Sequence, residues 1–170
     1  MSRIGAVVDG PTDLDRTWGK RPEYYQLFMS DYSDSLARAD AVLVELCRIR
    51  IAQLVESTFD TSLRYEPARA AGLGEDKIAA LANYSESELF SERERAVLEY
   101  AEQFVIQSSS ITDDDVDRVQ AHLTAEEFIY LTKAFGVMDQ FARSNSAFRI
   151  EAPEEVPSTL PAFVLQPATR

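Results

Sequence analysis

Glycine is scarce in this chain and spaced for little other than helices. It falls at Gly5, Gly10, Gly19, Gly72, Gly74 and Gly136, which leaves long stretches without it. Within them apolar residues recur three and four apart, the spacing of a helix with one buried face. The clearest case spans residues 91–107, where Ala96, Val97, Tyr100, Ala101, Phe104 and Val105 make one stripe. Ser91 followed by Glu94 forms a capping box that satisfies the open amides of the first turn. The same signature recurs at Thr112/Asp115 and Thr124/Glu127. The pattern predicts helices over 22–33, 40–55, 58–70, 75–82, 92–107, 113–122 and 125–148. No segment sustains strand alternation, so the expected fold is all-α, a single-domain multi-helix bundle.

The ends read differently. Residues 1–21 form an irregular N-terminal segment without helical period, 22–148 the helical domain, and 149–170 a C-terminal arm. That arm holds Pro153, Pro157, Pro161 and Pro167, which forbid a regular helix. Leu160, Phe163, Val164 and Leu165 make it apolar enough that docking is expected rather than a free linker.

Composition excludes several functions. At 170 residues the chain is about one domain. Lys plus Arg total 17 against 29 Asp plus Glu, a net charge of −12, which argues against nucleic acid or an anionic membrane as partner. One cysteine, Cys47, makes no intramolecular disulfide, and one histidine, His122, builds no histidine-rich metal site. The acidic run Asp113-Asp114-Asp115 with Asp117 lacks the glycine and closing glutamate of a calcium loop, and follows Thr112 as a helix start. No metal and no cofactor are expected. The apolar run at Gly5–Val8 is too short for a signal peptide, and no stretch approaches the roughly 18 apolar residues of a membrane helix. The expectation is a soluble cytoplasmic protein.

Two polar groups interrupt otherwise apolar segments. The run 40–55 is apolar on nearly every side, so Glu45 within it needs a partner or a task. Arg48, three residues on, is one available partner, giving a structural ion pair. The other reading is a desolvated carboxylate able to act as general acid or base. On a helix beginning near residue 57, Ser57, Asp60 and Arg64 share one face. Ser57/Asp60 fits a capping box and Asp60/Arg64 an ion pair; alternatively the three line a pocket beside Glu45, with Arg64 holding a carboxylate. Pro67 predicts a kink or break near 63–67, or a helix that restarts with it in the first turn. Tyr25, Phe28 and Tyr32, with Trp18 and Tyr24 nearby, suit core or subunit packing, the alternative being a substrate-stacking platform. His122 suits a surface or capping role.

Four blocks make the chain recognisable. Glu45-Leu46-Cys47-Arg48-Ile49-Arg50-Ile51-Ala52-Gln53-Leu54 resembles the helix leading to the active site in the carboxymuconolactone decarboxylase superfamily, in its alkyl hydroperoxidase D-like branch. Arg69-Ala70-Ala71-Gly72-Leu73-Gly74-Glu75-Asp76-Lys77-Ile78 resembles that family's helix end and next helix start. Leu89-Phe90-Ser91-Glu92-Arg93-Glu94-Arg95-Ala96 followed by Leu98 is the most specific match, and the run 139–148 resembles its closing helix in a degraded form.

The resemblance implies a bundle that associates as a homo-oligomer. It also implies a Cys-x-x-Cys pair followed by a His, and those positions fall on Ser57, Asp60 and Arg64. Peroxide reduction through such a pair needs a reactive thiolate and a resolving thiol, so that activity is expected to be absent. The decarboxylase branch works without metal or cofactor on a small lactone acid. The leading expectation is therefore a cofactor-independent lyase or isomerase acting on a small anionic or lactone substrate. Glu45 would move the proton, Arg64 would hold the anion, and Asp60 with Ser57 would orient them. The alternative is a catalytically inactive relative that binds a ligand or serves in assembly.

Overall fold

The computed structural model describes residues 2–4, 12–152 and 158–159. Nine α-helices lie among them: α1 (Asp13–Trp18), α2 (Pro22–Ala37), α3 (Ala41–Leu54), α4 (Thr58–Ser62), α5 (Glu66–Ala70), α6 (Glu75–Ala79), α7 (Glu92–Gln107), α8 (Asp113–Gln120) and α9 (Ala125–Phe148). Single 3-10 turns follow α6 and α7. Two two-residue strands, β1 (Leu63–Arg64) and β2 (Ser158–Thr159), pair in parallel. The fold is all-α, and no helix is long and apolar enough to cross a membrane.

Local capping sets the clearest boundaries. The capping boxes at Ser91, Thr112 and Thr124 all form and open α7, α8 and α9. A fourth, Thr12 with Asp15, opens α1 inside the segment expected to be irregular. Gly72 ends α5 at φ +97°, a conformation open to glycine, while the Leu73 amide closes back on the Ala68 carbonyl at 3.0 Å. The helix expected over 58–70 does not run through. It stops at Ser62, passes through β1, and restarts at Glu66 with Pro67 in its first turn. A prolyl ring in a continuous helix would clash with the carbonyl four residues back, so the break is the relaxed solution. Apart from 151–152, 158–159 and the first residues after α9, the Pro-rich arm lies outside the described residues, as does the apolar run near Val7.

Helix α3 is the central element. Val44, Leu46, Cys47, Ile51 and Ala52 are fully buried, and α3 packs against α7, α9, α4, α5 and α2. Helix α9 carries the second line of core residues, Leu131, Phe135, Met138 and Phe141. Truncating Leu46 to Ala should lower unfolding free energy by about 2–5 kcal/mol in urea titration. Ile129→Ala, on the exposed face of α9, should change it by less than about 0.5 kcal/mol.

Candidate functional site

Glu45 and Arg48 lie one turn apart on α3, and each side chain is 1% exposed. The guanidinium grips the carboxylate with two bonds, Nε to Oε2 at 2.6 Å and Nη2 to Oε1 at 2.9 Å. It also donates to the Asp60 carbonyl at 2.7 Å and the Leu63 carbonyl at 2.8 Å. Glu45 Oε1 accepts the Tyr65 amide at 2.9 Å. The ion pair thus bonds three backbone groups of the segment where α4 and α5 are separated, two carbonyls and one amide. Burial by itself would lower the Arg48 pKa, but the adjacent Glu45 charge and its hydrogen bonds outweigh that and raise it. The Tyr32 hydroxyl is buried nearby without a well-formed hydrogen bond, and burial raises its pKa.

A second cluster adjoins the first. Ser57 caps α4, accepting the Asp60 amide and donating to Asp60 Oδ2. Asn145 on α9 donates to the same oxygen at 3.0 Å, and its own Oδ1 accepts from Trp18 Nε1 at 3.1 Å. Ser57, Asp60 and Asn145 are all buried. Burial pushes the Asp60 carboxyl pKa up, opposed by the bonds from Ser57 and Asn145 and by the Arg48 charge.

Arg64 stands apart from both. Its guanidinium takes the Glu75 carboxylate bidentately, with Nε–Oε1 and Nη2–Oε2 both 2.9 Å, and donates to the Thr61 and Leu63 carbonyls at 2.8 Å. The hydrogen bond from Arg64 lowers the Glu75 pKa despite some desolvation. The expected Asp60–Arg64 ion pair is absent because α4 ends at Ser62 and the shared helical face of Ser57, Asp60 and Arg64 ends with it.

The structure thus joins Glu45 to Arg48 and Ser57 to Asp60, and sends Arg64 to Glu75. Sequence reading missed Asn145 and Glu75 as partners, while Tyr32 lies in the core as its helical spacing suggested. A lone amide on the Phe141, Ala142, Phe148 side of α9 was the signal available for Asn145. The Asp113–Asp117 run serves as the first turn of α8, with Asp115 in its capping box. His122 lies in the turn after α8, half-buried.

Two cavities flank the clusters. A polar one of about 570 Å³ is lined by Asn145, Thr58, Glu56, Arg3 and Arg149 among others. A larger cleft of about 950 Å³ runs along α1, α2 and the end of α9. Glu45, Ser57, Asp60 and Arg64 line neither.

Removing Arg48 should be costly, because it leaves the buried Glu45 carboxylate without its countercharge and takes one donor each from the Asp60 and Leu63 carbonyls. Arg48→Met should destabilise by about 3–5 kcal/mol, and Glu45→Gln in the same chain should restore part of that, both read by urea unfolding. Asp60 has the opposite sign to an ordinary ion-paired carboxylate. Its folded pKa is raised, so the stability tied to its proton is complete below the unfolded value of about 3.9 and is lost as pH rises through the folded value. The stability of Asp60→Asn relative to wild type should therefore climb as pH rises from about 4 through the raised folded value. Paired urea titrations across that range would check the slope.

No protein-family model matches the chain. It is 31% identical over 140 residues to the uncharacterized protein YnjA of Escherichia coli (strain K12), covering 81% of this chain and 77% of that one. Among solved structures, a protein of unknown function from Agrobacterium tumefaciens, named for the antioxidant defence protein AhpD, superimposes with TM-score 0.71 at 23% identity, covering 82% of this chain and 97% of that chain. An uncharacterized peroxidase-related protein from a Silicibacter species superimposes with TM-score 0.75 at 14% identity, covering 86% and 78%. At those identities the likeness to both structures is one of fold.

Proposed function

The chain belongs to the carboxymuconolactone decarboxylase superfamily, in its alkyl hydroperoxidase D-like branch, and we propose that it is a non-redox member that works by binding rather than by turnover. The observation that carries this reading is the grip of Arg48 on Glu45 and on the backbone of the segment holding the former redox positions. A general base must offer a free lone pair to substrate. Glu45 instead holds a bidentate guanidinium and a backbone amide away from both cavities. Arg64, the expected anion clamp, has its guanidinium committed to Glu75. These geometries favour the ligand-binding or assembly role over a lyase or isomerase that uses Glu45 and Arg64. Thiol chemistry has no support either. Ser57 and Asp60 carry no sulfur, and Cys47 is fully buried with its pKa pushed up by desolvation. Homo-oligomeric association belongs to the same reading, with exposed Ile106 and Ile129 as apolar surface for it.

One observation favours a second reading. Asp60 combines a raised carboxyl pKa with a hydrogen bond to Asn145, which lines the polar cavity. Under it, Asp60 in place of Glu45 would transfer the proton to a small acid or lactone.

Incubation with an alkyl hydroperoxide and a dithiol should consume peroxide no faster than a protein-free control. Small organic acids and lactones should be recovered unchanged by chromatography. Turnover that disappears in Glu45→Gln would overturn the binding reading in favour of the lyase, and turnover lost only in Asp60→Asn would favour the second.

A further inference from the structure

The 950 Å³ cleft has the form of a small-molecule site, a concavity of roughly 300–1,000 Å³ with aromatic walls and few polar groups. Its wall is built around Trp18. That ring stacks on Phe28 at 5.9 Å with planes 5° apart, lies 6.5 Å from Tyr25 at 19°, and meets the edge of Phe148 at 5.7 Å. The bond from Trp18 Nε1 to buried Asn145 holds its orientation. On α2, Leu27 and Tyr24 also line the cleft and are 71% and 59% exposed, so apolar surface there is uncovered.

The charges at the rim select a sign. Asp31 and Asp34 line the cleft, but Lys133 and Arg38 neutralise them. The Lys20 ammonium donates to the Ile4 carbonyl at 3.3 Å and makes no ion pair among the described residues. Arg21 lies 5.6 Å over the Tyr24 ring, with Glu23 loosely placed at 3.8 Å in solvent. In a chain of net charge −12, an apolar cleft with Lys20 outside any ion pair among the described residues and Arg21 held only by a long, solvent-exposed pair complements an apolar anion. A flat wall of stacked rings complements a planar ligand, and Lys20 and Arg21, adjacent in sequence, make one cationic locus that a single carboxylate fills.

We propose that this cleft binds a small aromatic monocarboxylate, with its ring against Trp18 and Phe28 and its carboxylate at Lys20 and Arg21. The inference rests on the reading of the chain as a binding protein and names its ligand class. Trp18 is the single tryptophan, so its emission reports occupancy directly.

The test titrates wild type with 3-phenylpropanoate, its neutral amide and acetate, following Trp18 emission, with chromatography of the recovered ligand and sedimentation equilibrium alongside. The acid should give a saturable change about two- to fivefold tighter than the amide, the effect of one exposed ion pair, and acetate should give none. Lys20→Gln with Arg21→Gln should erase the preference for acid over amide. Leu27→Asp, at an exposed position that should leave folding intact, should abolish the response to both. No saturable response to the acid, or a response that survives Leu27→Asp, overturns the proposal. A silent wild type whose larger assembly dissociates in Leu27→Asp also overturns it, because a second copy then covers the cleft. Acid that binds and is recovered unchanged supports both the site and the binding reading. Acid that binds and is converted keeps the site and removes the binding reading.

Discussion

Everything around the join of α3, α4 and α5 depends on the Glu45–Arg48 ion pair. Two opposite charges buried at 1% exposure pay a desolvation penalty that their attraction repays only when every remaining donor and acceptor is also used. Here four hydrogen bonds run from Arg48 and one amide comes to Glu45. The partners are the carbonyls of Asp60 and Leu63 and the amide of Tyr65, backbone groups of the segment where the helix is broken before Pro67. The pair therefore acts as a brace that lets α4 and α5 be separate helices while both pack on α3.

Hydrogen bonds extend that brace across the bundle. Asp60 receives Ser57 within α4 and Asn145 from α9, and Asn145 in turn receives Trp18 from α1. Three helices distant in sequence are thereby joined through one buried carboxyl and one amide. The amide matches this task because it offers a donor to Asp60 and an acceptor to Trp18 at once. The same chain of bonds runs from the centre to the aromatic wall of the cleft, so the interior polar network also sets the orientation of the ring on its surface.

Ser57 and Asp60 play structural parts. Ser57 is an N-cap and Asp60 its reciprocal partner, as their side chains suit. Arg64 ties β1 to the first turn of α6 through Glu75. All three side chains contribute to cohesion while offering neither a thiolate nor an imidazole.

Much of this was legible from sequence wherever the deciding interaction is local. Helices α7 and α9 begin and end where the 3.6-residue stripe and the capping boxes put them, and the Glu45–Arg48 pair follows from a three-residue spacing on one helix. Pro67 announced the break in the helix after residue 57, through a steric clash that needs no tertiary context. Helix α1 carried the same Thr-x-x-Asp signal and was overlooked because the surrounding residues lack an apolar period. What only the tertiary structure decided is which of two chemically equal partners each charge takes. Asp60 and Arg64 are spaced to pair on a helix, yet the chain turns between them, and Arg64 finds Glu75 while Asp60 finds Asn145, 85 residues away. Spacing along a helix determines contacts within about a turn; beyond it, the packing of α3 against α4, α9 and the segment after Pro67 chooses the partner.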